Sequence, residues 1–577
     1  MAPTSIHRER SASIWNAPSD LSRGPYRSHR TITVPRMTRM KIVRRLSLLV
    51  SLSSLLAMPA LVQAQDAASP ALSPEPSRST WPAVTRPADR GPRHYSAVRS
   101  GTFGGKSLRY RAVLSEMLVR DRAGKPASSL FVTAFVAGID QRLAAQRPVI
   151  FIFNGGPGGS SNTLMFGAMG PSRLQAFDVA AIGNAKTPVV PNEDAVLDIA
   201  DLVFIDAPET GYGRPLPGSD EKTFRSNDGD SNAFAQVILR WLTDNGRMAS
   251  PVYIMGESYG SIRAVLLARD LRVATPRVEP AGLILVSQAL WYNGPETGMT
   301  VLPDPVRAVN SLPDIAALAW HHGLIDNRTQ TLEQAVRAAQ TFALQDYAKI
   351  LIAGNRAPET ERACVAERLA QLTGVPASTW LAGSLRLSNI RRQMLAGRNL
   401  ALGQFDGREI EPLQGIVDDS HRDFKAMMAG LTAATGQLRR DLFHAEGLPD
   451  YRSTVDSPPA FEETWTFNKA PMPGTEIILR EQMAAMPKMR LMVTQGVFDT
   501  TTTMGETDYQ FAQIAAPQDR TTFAYYPGGH MLYSEDEGRR AFLSDVRTFI
   551  SGQVLARRPF PHPAPGQIGG RKQATGQ

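Results

Sequence analysis

The most informative stretch of the chain is Val252-Tyr-Ile-Met-Gly-Glu-Ser-Tyr-Gly260. Its first four residues are apolar and β-prone, whereas the residues from about Ile262 to Arg272 have the apolar periodicity of a helix. A serine between two glycines at such a strand-to-helix junction is typical of a sharp turn that projects the hydroxyl above a sheet. We therefore expect Ser258 to be a nucleophile; the alternative is a tight turn with an idle serine.

Apolar runs on both sides of this stretch have the length and composition of strands that are buried on both faces of a sheet. They alternate with helical patterns such as Phe234 to Leu242. This alternation predicts an α/β fold with a mostly parallel central sheet. The predicted strands are 129–136, 148–153, 202–205, 252–255, 283–286, 490–493 and 522–526, and a helix at 537–551 closes the pattern.

The segment from about 295 to 470 has a different pattern. Helical periodicity covers 332–351, 361–372 and 424–443, with few strand signals between them. A chain of 577 residues also exceeds the usual size of one compact core. We therefore predict a core formed by 93–294 and 471–555, a largely helical insertion (a cap domain) at 295–470, and a disordered basic tail at 556–577.

The basic charge of the chain lies at its beginning. Residues 1–64 carry ten Lys or Arg and two acidic residues, a net charge of +8 of the +9 for the whole chain. Because the remainder is nearly neutral, the composition does not indicate a nucleic-acid partner.

The same leader has the features of a secretory signal. A positive n-region at 41–45 precedes an apolar h-region at 46–62, and small residues lead to expected cleavage after Ala64. Serines and a proline make the apolar run a poor membrane span. We expect a periplasmic or secreted protein with no stable membrane span after cleavage, followed by an Ala/Pro/Ser-rich linker at 65–92. Translation from Met37 or Met40 rather than Met1 is an open hypothesis.

The chain contains one cysteine, Cys364, in a helix-like pattern. No intramolecular disulfide, cysteine-based zinc site or iron–sulfur cluster can form from it. We expect a small core residue here rather than a nucleophile. No cofactor and no metal are predicted, and the oligomeric state is unknown.

A second glycine-rich segment, Asn154-Gly-Gly-Pro-Gly-Gly-Ser-Ser161, follows the predicted strand at 148–153. It lacks the G-K-[ST] of a phosphate-binding loop and the spacing of a dinucleotide fingerprint. Glycines at this position allow main-chain N–H groups to approach a reacting carbonyl. We expect an oxyanion hole that combines an N–H of this loop with the N–H of Tyr259; a purely structural turn is the alternative.

A serine nucleophile needs a base and an acid that orients the base. His530 lies in the glycine turn Tyr525-Tyr-Pro-Gly-Gly-His530, just after a predicted strand, whereas four other histidines after Ser258 fall in the helical insertion. Asp499 follows the strand that begins at Leu491; Asp508 is a rival, but we expect it to be solvated. The order Ser, Asp, His along the chain predicts the α/β-hydrolase fold.

With these motifs the chain resembles the serine carboxypeptidase family from about residue 95 to 550. The motifs are 154–161, Ile205-Asp-Ala-Pro208 with Gly211-Tyr-Gly213, Gly256-Glu-Ser-Tyr-Gly260, the Asp499 region and Gly529-His530. Related prolyl aminopeptidases carry His where this chain has Asn154. The resemblance implies release of C-terminal residues from peptides through an acyl-enzyme.

The resemblance also implies roles for individual residues. The N–H groups of Gly156 and Tyr259 would bind the oxyanion, while Asn154, Gly155 and Glu257 would bind the terminal carboxylate of the peptide. Glu257 can do so only when protonated, because two carboxylates repel each other. This predicts better peptide binding at acidic pH.

The chain departs from the family at two positions. Ala168 stands where the family has a second acidic residue, and Gly159 stands where it has a cysteine, so the pH optimum is open. An esterase or acyltransferase with the same triad is the alternative function, and a non-catalytic binding module is a further one. Side-chain specificity and the physiological substrate cannot be read from the sequence.

Overall fold

The computed structural model describes residues 92–137, 146–175, 188–291, 305–415, 422–455, 464–466, 474–553 and 555, all within one compact unit, Pro82–Gln577. The predicted leader, all of the predicted linker except Pro92, and the predicted tail lie outside the described residues. Among the helices of the described ranges, none has the length and apolar character needed to cross a bilayer.

Fourteen strands are formed by the described residues, many of them from the apolar runs noted above. They are β1 His94–Phe103, β2 Lys106–Arg120, β3 Pro126–Ala137, β4 Val149–Phe153, β5 Ser172–Leu174, β6 Val189–Pro191, β7 Asp201–Ile205, β8 Arg214–Pro215, β9 Val252–Glu257, β10 Gly282–Val286, β11 Leu400–Leu402, β12 Ile410–Pro412, β13 Arg490–Gly496 and β14 Thr521–Tyr526.

The central sheet has the strand order β1-β2-β3-β7-β4-β9-β10-β13-β14, with β8 paired to β3. β7, β4, β9, β10, β13 and β14 run parallel, whereas β1, β2 and β3 form antiparallel pairs at one side. The carboxyl ends of the parallel strands therefore lie along one edge of the sheet, which is where ligands bind in sheets of this type. The predicted mostly parallel sheet is confirmed.

The helices that the structure describes connect or cover these strands. They are α1 Asn227–Asp244, α2 Tyr259–Val273, α3 Val306–His321, α4 Leu332–Phe342, α5 Ala348–Ala353, α6 Glu359–Thr373, α7 Ala377–Ala382, α8 Ile390–Gln393, α9 Arg422–Leu438, α10 Thr475–Ala485, α11 Met504–Ile514 and α12 Asp536–Ile550. A short helical turn, Asn162–Leu164, continues into a π-helical turn, Met165–Met169.

Alternate residues of the parallel strands build two separate cores on opposite faces of the sheet, as the period-2 geometry of a strand requires. On one face Phe151 and Phe153 pack edge-to-face against Trp241 and Phe234 of α1, with α2 and α10 in the same core. The opposite face packs against the π-helical turn, α9 and α12. The sheet is thus buried on both sides, which explains the continuous apolar runs of its strands.

The helices α3 to α7 form a third apolar core of their own, which reaches Val497, Phe498 and Tyr525 near the ends of β13 and β14. Both predicted boundaries of the insertion, 294/295 and 470/471, fall outside the described residues. A two-stranded hairpin of β11 and β12 also lies in this part of the chain; its three-residue strands were too short to predict.

Three local expectations differ from the structure. Cys364 is exposed on α6 rather than buried in a core. The predicted helix 332–351 is interrupted by a π-helical turn at Ala343–Tyr347. Asp508 is half-buried on α11 and accepts a short hydrogen bond from the Tyr525 hydroxyl, so it is not simply solvated.

Candidate active site

Ser258 lies in the turn between β9 and α2, at the edge formed by the strand carboxyl ends. Its backbone has φ 58° and ψ −128°, a region that non-glycine residues rarely adopt and that commonly marks functional turns. The turn also requires a glycine at 256, because a Cβ there would collide with the carbonyl oxygen of Gly260. The Ser258 N–H donates to Val286 O at 2.9 Å, which joins the turn to the end of β10.

His530 and Asp499 form a buried pair at the same edge. The distance from His530 Nδ1 to Asp499 Oδ2 is 2.9 Å, and both residues are almost inaccessible to solvent. Asp499 Oδ1 accepts from the N–H groups of Thr501 and Thr502 at 2.7 and 3.0 Å, and Oδ2 accepts from Gln495 Nε2 at 2.9 Å. The carboxylate is therefore fully hydrogen-bonded, and it orients the imidazole with Nε2 left for another partner.

The pKa of His530 is raised above its ordinary value by competing effects. Burial lowers the pKa, but the charge of Asp499 and its hydrogen bond to the ring raise it by more, and the charge of Glu257 acts in the same direction. The pair thus stabilises the imidazolium that forms when a histidine acts as a base.

The structure brings Ser258 and His530 to the end of one strand without joining their side chains. Val286 O accepts from the Ser258 N–H, and the next residue, Ser287, donates its hydroxyl to His530 O at 2.7 Å. Within the described ranges, the Ser258 hydroxyl makes no hydrogen bond to His530 or to any other group. Bonds of this kind often tighten only when a substrate is bound.

The glycine-rich loop after β4 lies directly against the serine turn. A Cβ at Gly155 would lie 2.5 Å from Tyr259 N, so only glycine allows this approach. Gly156 has φ 113°, and its N–H donates to no group in the part of the chain that is described. The loop therefore brings a free amide donor, Gly156 N–H, next to the turn that contains Tyr259.

Two further parts of the chain hold this loop in place. The buried guanidinium of Arg263 donates to Asn154 O at 2.7 Å while it pairs with Asp230. On the other side, the return segment, which we define as residues 451–455, forms main-chain bonds with the loop. Val455 N donates to Gly158 O at 2.9 Å and Ser160 N to Ser453 O at 2.8 Å.

Glu257, the residue before Ser258, is buried and makes a short hydrogen bond that the sequence did not predict. Its Oε2 accepts from the hydroxyl of Tyr533, a fully buried residue. The side chain of Asn154 lies beside both groups and lowers the pKa of each. The three side chains form a polar cluster next to the serine turn, through a contact between distant residues for which the sequence carries no local signal.

Burial raises the pKa of Glu257 to about 7, with a smaller contribution in the same direction from Asp499. The charge of His530 and the hydrogen bonds of Tyr533 and Asn154 act against burial. Glu257 is therefore mostly protonated in weakly acidic solution and can donate a hydrogen bond there.

Ala168, the position at which the family resemblance expects an acidic residue, lies in the π-helical turn and is completely buried. Its carbonyl oxygen accepts from Asn192 Nδ2 at 2.6 Å. No carboxylate can come from this position.

The insertion reaches the predicted base through the loop of the β11–β12 hairpin. The His530 N–H donates to Phe405 O at 2.6 Å, and the two rings are 5.6 Å apart at 41°. Thr500 Oγ1, next to Asp499, donates to Gly403 O of the same loop at 3.1 Å. Sequence reasoning missed Phe405, because it described the insertion as largely helical and predicted no element between residues 372 and 424.

Among the residues that the structure describes, no group of three or more His, Cys, Asp or Glu side chains is arranged to hold a metal ion.

Comparison with solved structures gives several distant matches. The prohormone-processing carboxypeptidase Kex1(delta)p from Saccharomyces cerevisiae is 13% identical, with 77% of this chain and 92% of that chain covered and a TM-score of 0.47. A thermostable carboxyl esterase from Bacillus coagulans is 12% identical, with 77% and 99% covered and a TM-score of 0.32. An esterase from Exiguobacterium antarcticum is 10% identical, with 75% and 99% covered and a TM-score of 0.32. The predicted α/β-hydrolase fold is confirmed by the chain's own architecture, a mostly parallel sheet with helices on both faces and Ser258 in the turn between β9 and α2.

No curated protein matches the chain. Residues 127–359, however, match the family model described as serine carboxypeptidase. This segment contains the glycine-rich loop and Ser258, and it ends before Asp499 and His530. By this match residues 127–359 are similar to the serine carboxypeptidase family.

Proposed function

We propose that the chain is an exported serine-type carboxypeptidase that releases C-terminal residues from peptides through an acyl-enzyme. The observation that carries the proposal is the 2.9 Å bond between His530 Nδ1 and Asp499 Oδ2, at the sheet edge where Ser258 occupies a strained turn. A hydroxyl, an imidazole and a carboxylate in this order are the groups that nucleophilic acyl transfer needs.

In the acylation step, Ser258 Oγ bonds to the scissile carbonyl carbon while its proton moves to His530 Nε2. The carbonyl electron pair moves to the oxygen, where the N–H groups of Gly156 and Tyr259 stabilise the negative charge. The C–N bond then breaks, and His530 gives its proton to the departing amine. Asp499 stays ionised and stabilises the imidazolium throughout.

In the deacylation step, water takes the place of the departed amine. His530 removes a proton from the water as its oxygen bonds to the ester carbon. The ester bond breaks, and Ser258 Oγ recovers its proton from His530. The products are the shortened peptide and a free amino acid, and the enzyme returns to its initial state.

Recognition of the chain terminus is assigned to Asn154, Gly155 and Glu257. Asn154 Oδ1 accepts from the Leu164 N–H at 3.1 Å, so its NH₂ group, which also hydrogen-bonds Glu257, is the part that donates. Protonated Glu257 adds a second donor and the Gly155 N–H a third. Three donors without a negative charge suit a carboxylate, and the pKa of about 7 for Glu257 supports tighter binding below neutral pH.

Export is proposed from the leader alone, with its n-region at 41–45, h-region at 46–62 and cleavage after Ala64. The expected location is the periplasm or the medium, where peptides are the substrates.

The test is hydrolysis of an N-blocked dipeptide compared with its C-terminal amide, followed by mass spectrometry of a longer peptide digest. We expect release of the terminal amino acid from the free acid at least about tenfold faster than attack on the amide. The digest should show successive loss of C-terminal residues with the wild type and none with Ser258→Ala. Equal rates on acid and amide, or cleavage of simple esters alone, would favour an esterase or acyltransferase instead.

A further inference from the structure

Tyr533 is the residue that fixes one oxygen of Glu257. It lies three positions after His530, and its hydroxyl donates to Glu257 Oε2 from a fully buried position. Only 4% of Glu257 is exposed, so water cannot readily replace this donor. A carboxyl group that accepts at Oε2 in its neutral form carries its own proton on Oε1.

The charged and titratable groups around Glu257 are His530, Asp499 and Tyr533, with the amide of Asn154 beside them. Burial and the neighbouring Glu257 charge raise the pKa of Tyr533 well above 10. The phenol therefore remains a proton donor throughout the range in which an enzyme is assayed, and it does not compete with Glu257 for a proton.

We propose that Tyr533 is a positioning residue for carboxylate recognition: by donating to Oε2 it makes Glu257 present the O–H of Oε1 to the substrate's terminal carboxylate. The proposal rests on the proposed function, in which Glu257 binds that carboxylate. One proton is involved, and it stays on Glu257 Oε1 in the complex, so the order of hydrogen bonds is phenol to Oε2 and Oε1–H to the substrate oxygen.

This arrangement explains how the site can bind a carboxylate although position 168 is alanine and not an acidic residue. Two carboxyl groups that share a proton titrate as a coupled pair. A phenol that only donates leaves a single titrating carboxyl group. Carboxylate binding should therefore weaken with the loss of one proton as the pH rises through the pKa of Glu257, about 7.

The experiment measures binding without turnover, in the full-length chain that carries Ser258→Ala. Calorimetry from pH 5 to 9 gives the Kd of an N-blocked dipeptide and of its C-terminal amide. In this background we expect the Kd of the free acid to rise about tenfold per pH unit above about 7, whereas the Kd of the amide stays flat.

Tyr533→Phe, added to this background, should weaken binding at low pH and also raise the pH at which binding is lost. At pH 5 the Kd of the free acid should rise about three- to tenfold, because Glu257 is no longer held. The pH at which binding weakens should move upward by about half a unit to one unit, since the lost hydrogen bond favoured the ionised form. A variant that only loosened the site would weaken binding at every pH and leave the midpoint unchanged.

Two further variants complete the design. Glu257→Gln cannot ionise, so the pH dependence should disappear while binding at pH 5 persists. Tyr526→Phe removes a different buried phenol, which donates to Asp545 Oδ2 at 2.8 Å, and should leave the midpoint in place.

An unchanged midpoint in Tyr533→Phe, with the preference for acid over amide intact, would overturn the positioning role alone. Equal binding of acid and amide by the parent variant would instead remove carboxylate recognition, and the proposed function with it. A midpoint that moved equally in Tyr526→Phe would also overturn the assignment to Tyr533.

Discussion

The main-chain N–H of His530 is bound to the carbonyl oxygen of Phe405 at 2.6 Å, so the predicted base is attached to a loop of the insertion. Its imidazole is fixed at Nδ1 by Asp499 and covered by the Phe405 ring. Two distant parts of the chain thus hold one side chain. The insertion contributes to the geometry of the predicted triad as well as covering the core.

Replacing Phe405 by alanine keeps the main-chain bond and removes the ring over the imidazole. We expect kcat/KM for an N-blocked dipeptide to fall about tenfold, because small displacements of a base are costly. The change in thermal stability should be small, since Phe405 is only half-buried. Leu381→Ala, at an exposed apolar position on α7, is the control and should change neither quantity. A loss equal to that of Leu381→Ala would contradict a role for the ring.

Asp499→Asn should lower kcat by about three to four orders of magnitude, because the amide can no longer hold the imidazole in its productive tautomer. Single-turnover hydrolysis and the rate of labelling of Ser258 by a fluorophosphonate measure the effect. Asp508→Asn tests the rival acid, whose carboxylate accepts from Tyr525 instead. We expect it to stay within about threefold of wild type; a larger loss than in Asp499→Asn would reverse the assignment.

The pH profile should depend on whether the substrate has a free carboxylate. Protonated His530 cannot act as a base, and its pKa is raised, so ester hydrolysis should increase as the pH rises through a value above about 6.5. For a peptide acid, ionisation of Glu257 near pH 7 adds a loss of binding at higher pH, which gives a bell-shaped kcat/KM. A bell of the same shape for ester and acid would argue against this role of Glu257.

The pair of Arg263 and Asp230 lies almost completely inside the protein, with an Nε–Oδ2 distance of 2.6 Å. Asp230→Asn leaves the guanidinium uncompensated, and we expect the free energy of unfolding to fall by about 3–5 kcal/mol in a urea titration. Activity should fall as well, because Arg263 also holds Asn154 O.

The matched control lies on the same helix. Asp244→Asn breaks an exposed pair with Arg240, which should contribute less than about 1 kcal/mol. Equal destabilisation by both variants would mean that burial does not increase the contribution of the Asp230 pair to the free energy of unfolding.

The parts of the fold that could be predicted are those that local pattern determines. The strand, glycine turn and helix around Ser258 are consecutive in sequence, and α2 begins at the next residue. The apolar runs could be assigned to strands because helices cover both faces of the sheet. His530 and Asp499 were candidates because each follows a strand of the same sheet.

The parts that could not be predicted depend on contacts between distant residues. Nothing in the neighbours of Tyr533 indicates that its hydroxyl reaches Glu257. Phe405 lies in a hairpin with strands of three residues, which carry too little periodicity to detect. Cys364 was predicted to be a core residue from its residue type alone, but it lies exposed on α6.

The return segment, residues 451–455, bonds the insertion to the glycine-rich loop, as the β11–β12 loop bonds it to His530. The insertion is therefore not an interchangeable module. A chimera that received the whole insertion from a relative would exchange its contacts with the glycine-rich loop and with His530 at the same time. Redesign of side-chain preference should accordingly keep residues 403–407 and 451–455 and vary other residues of the insertion.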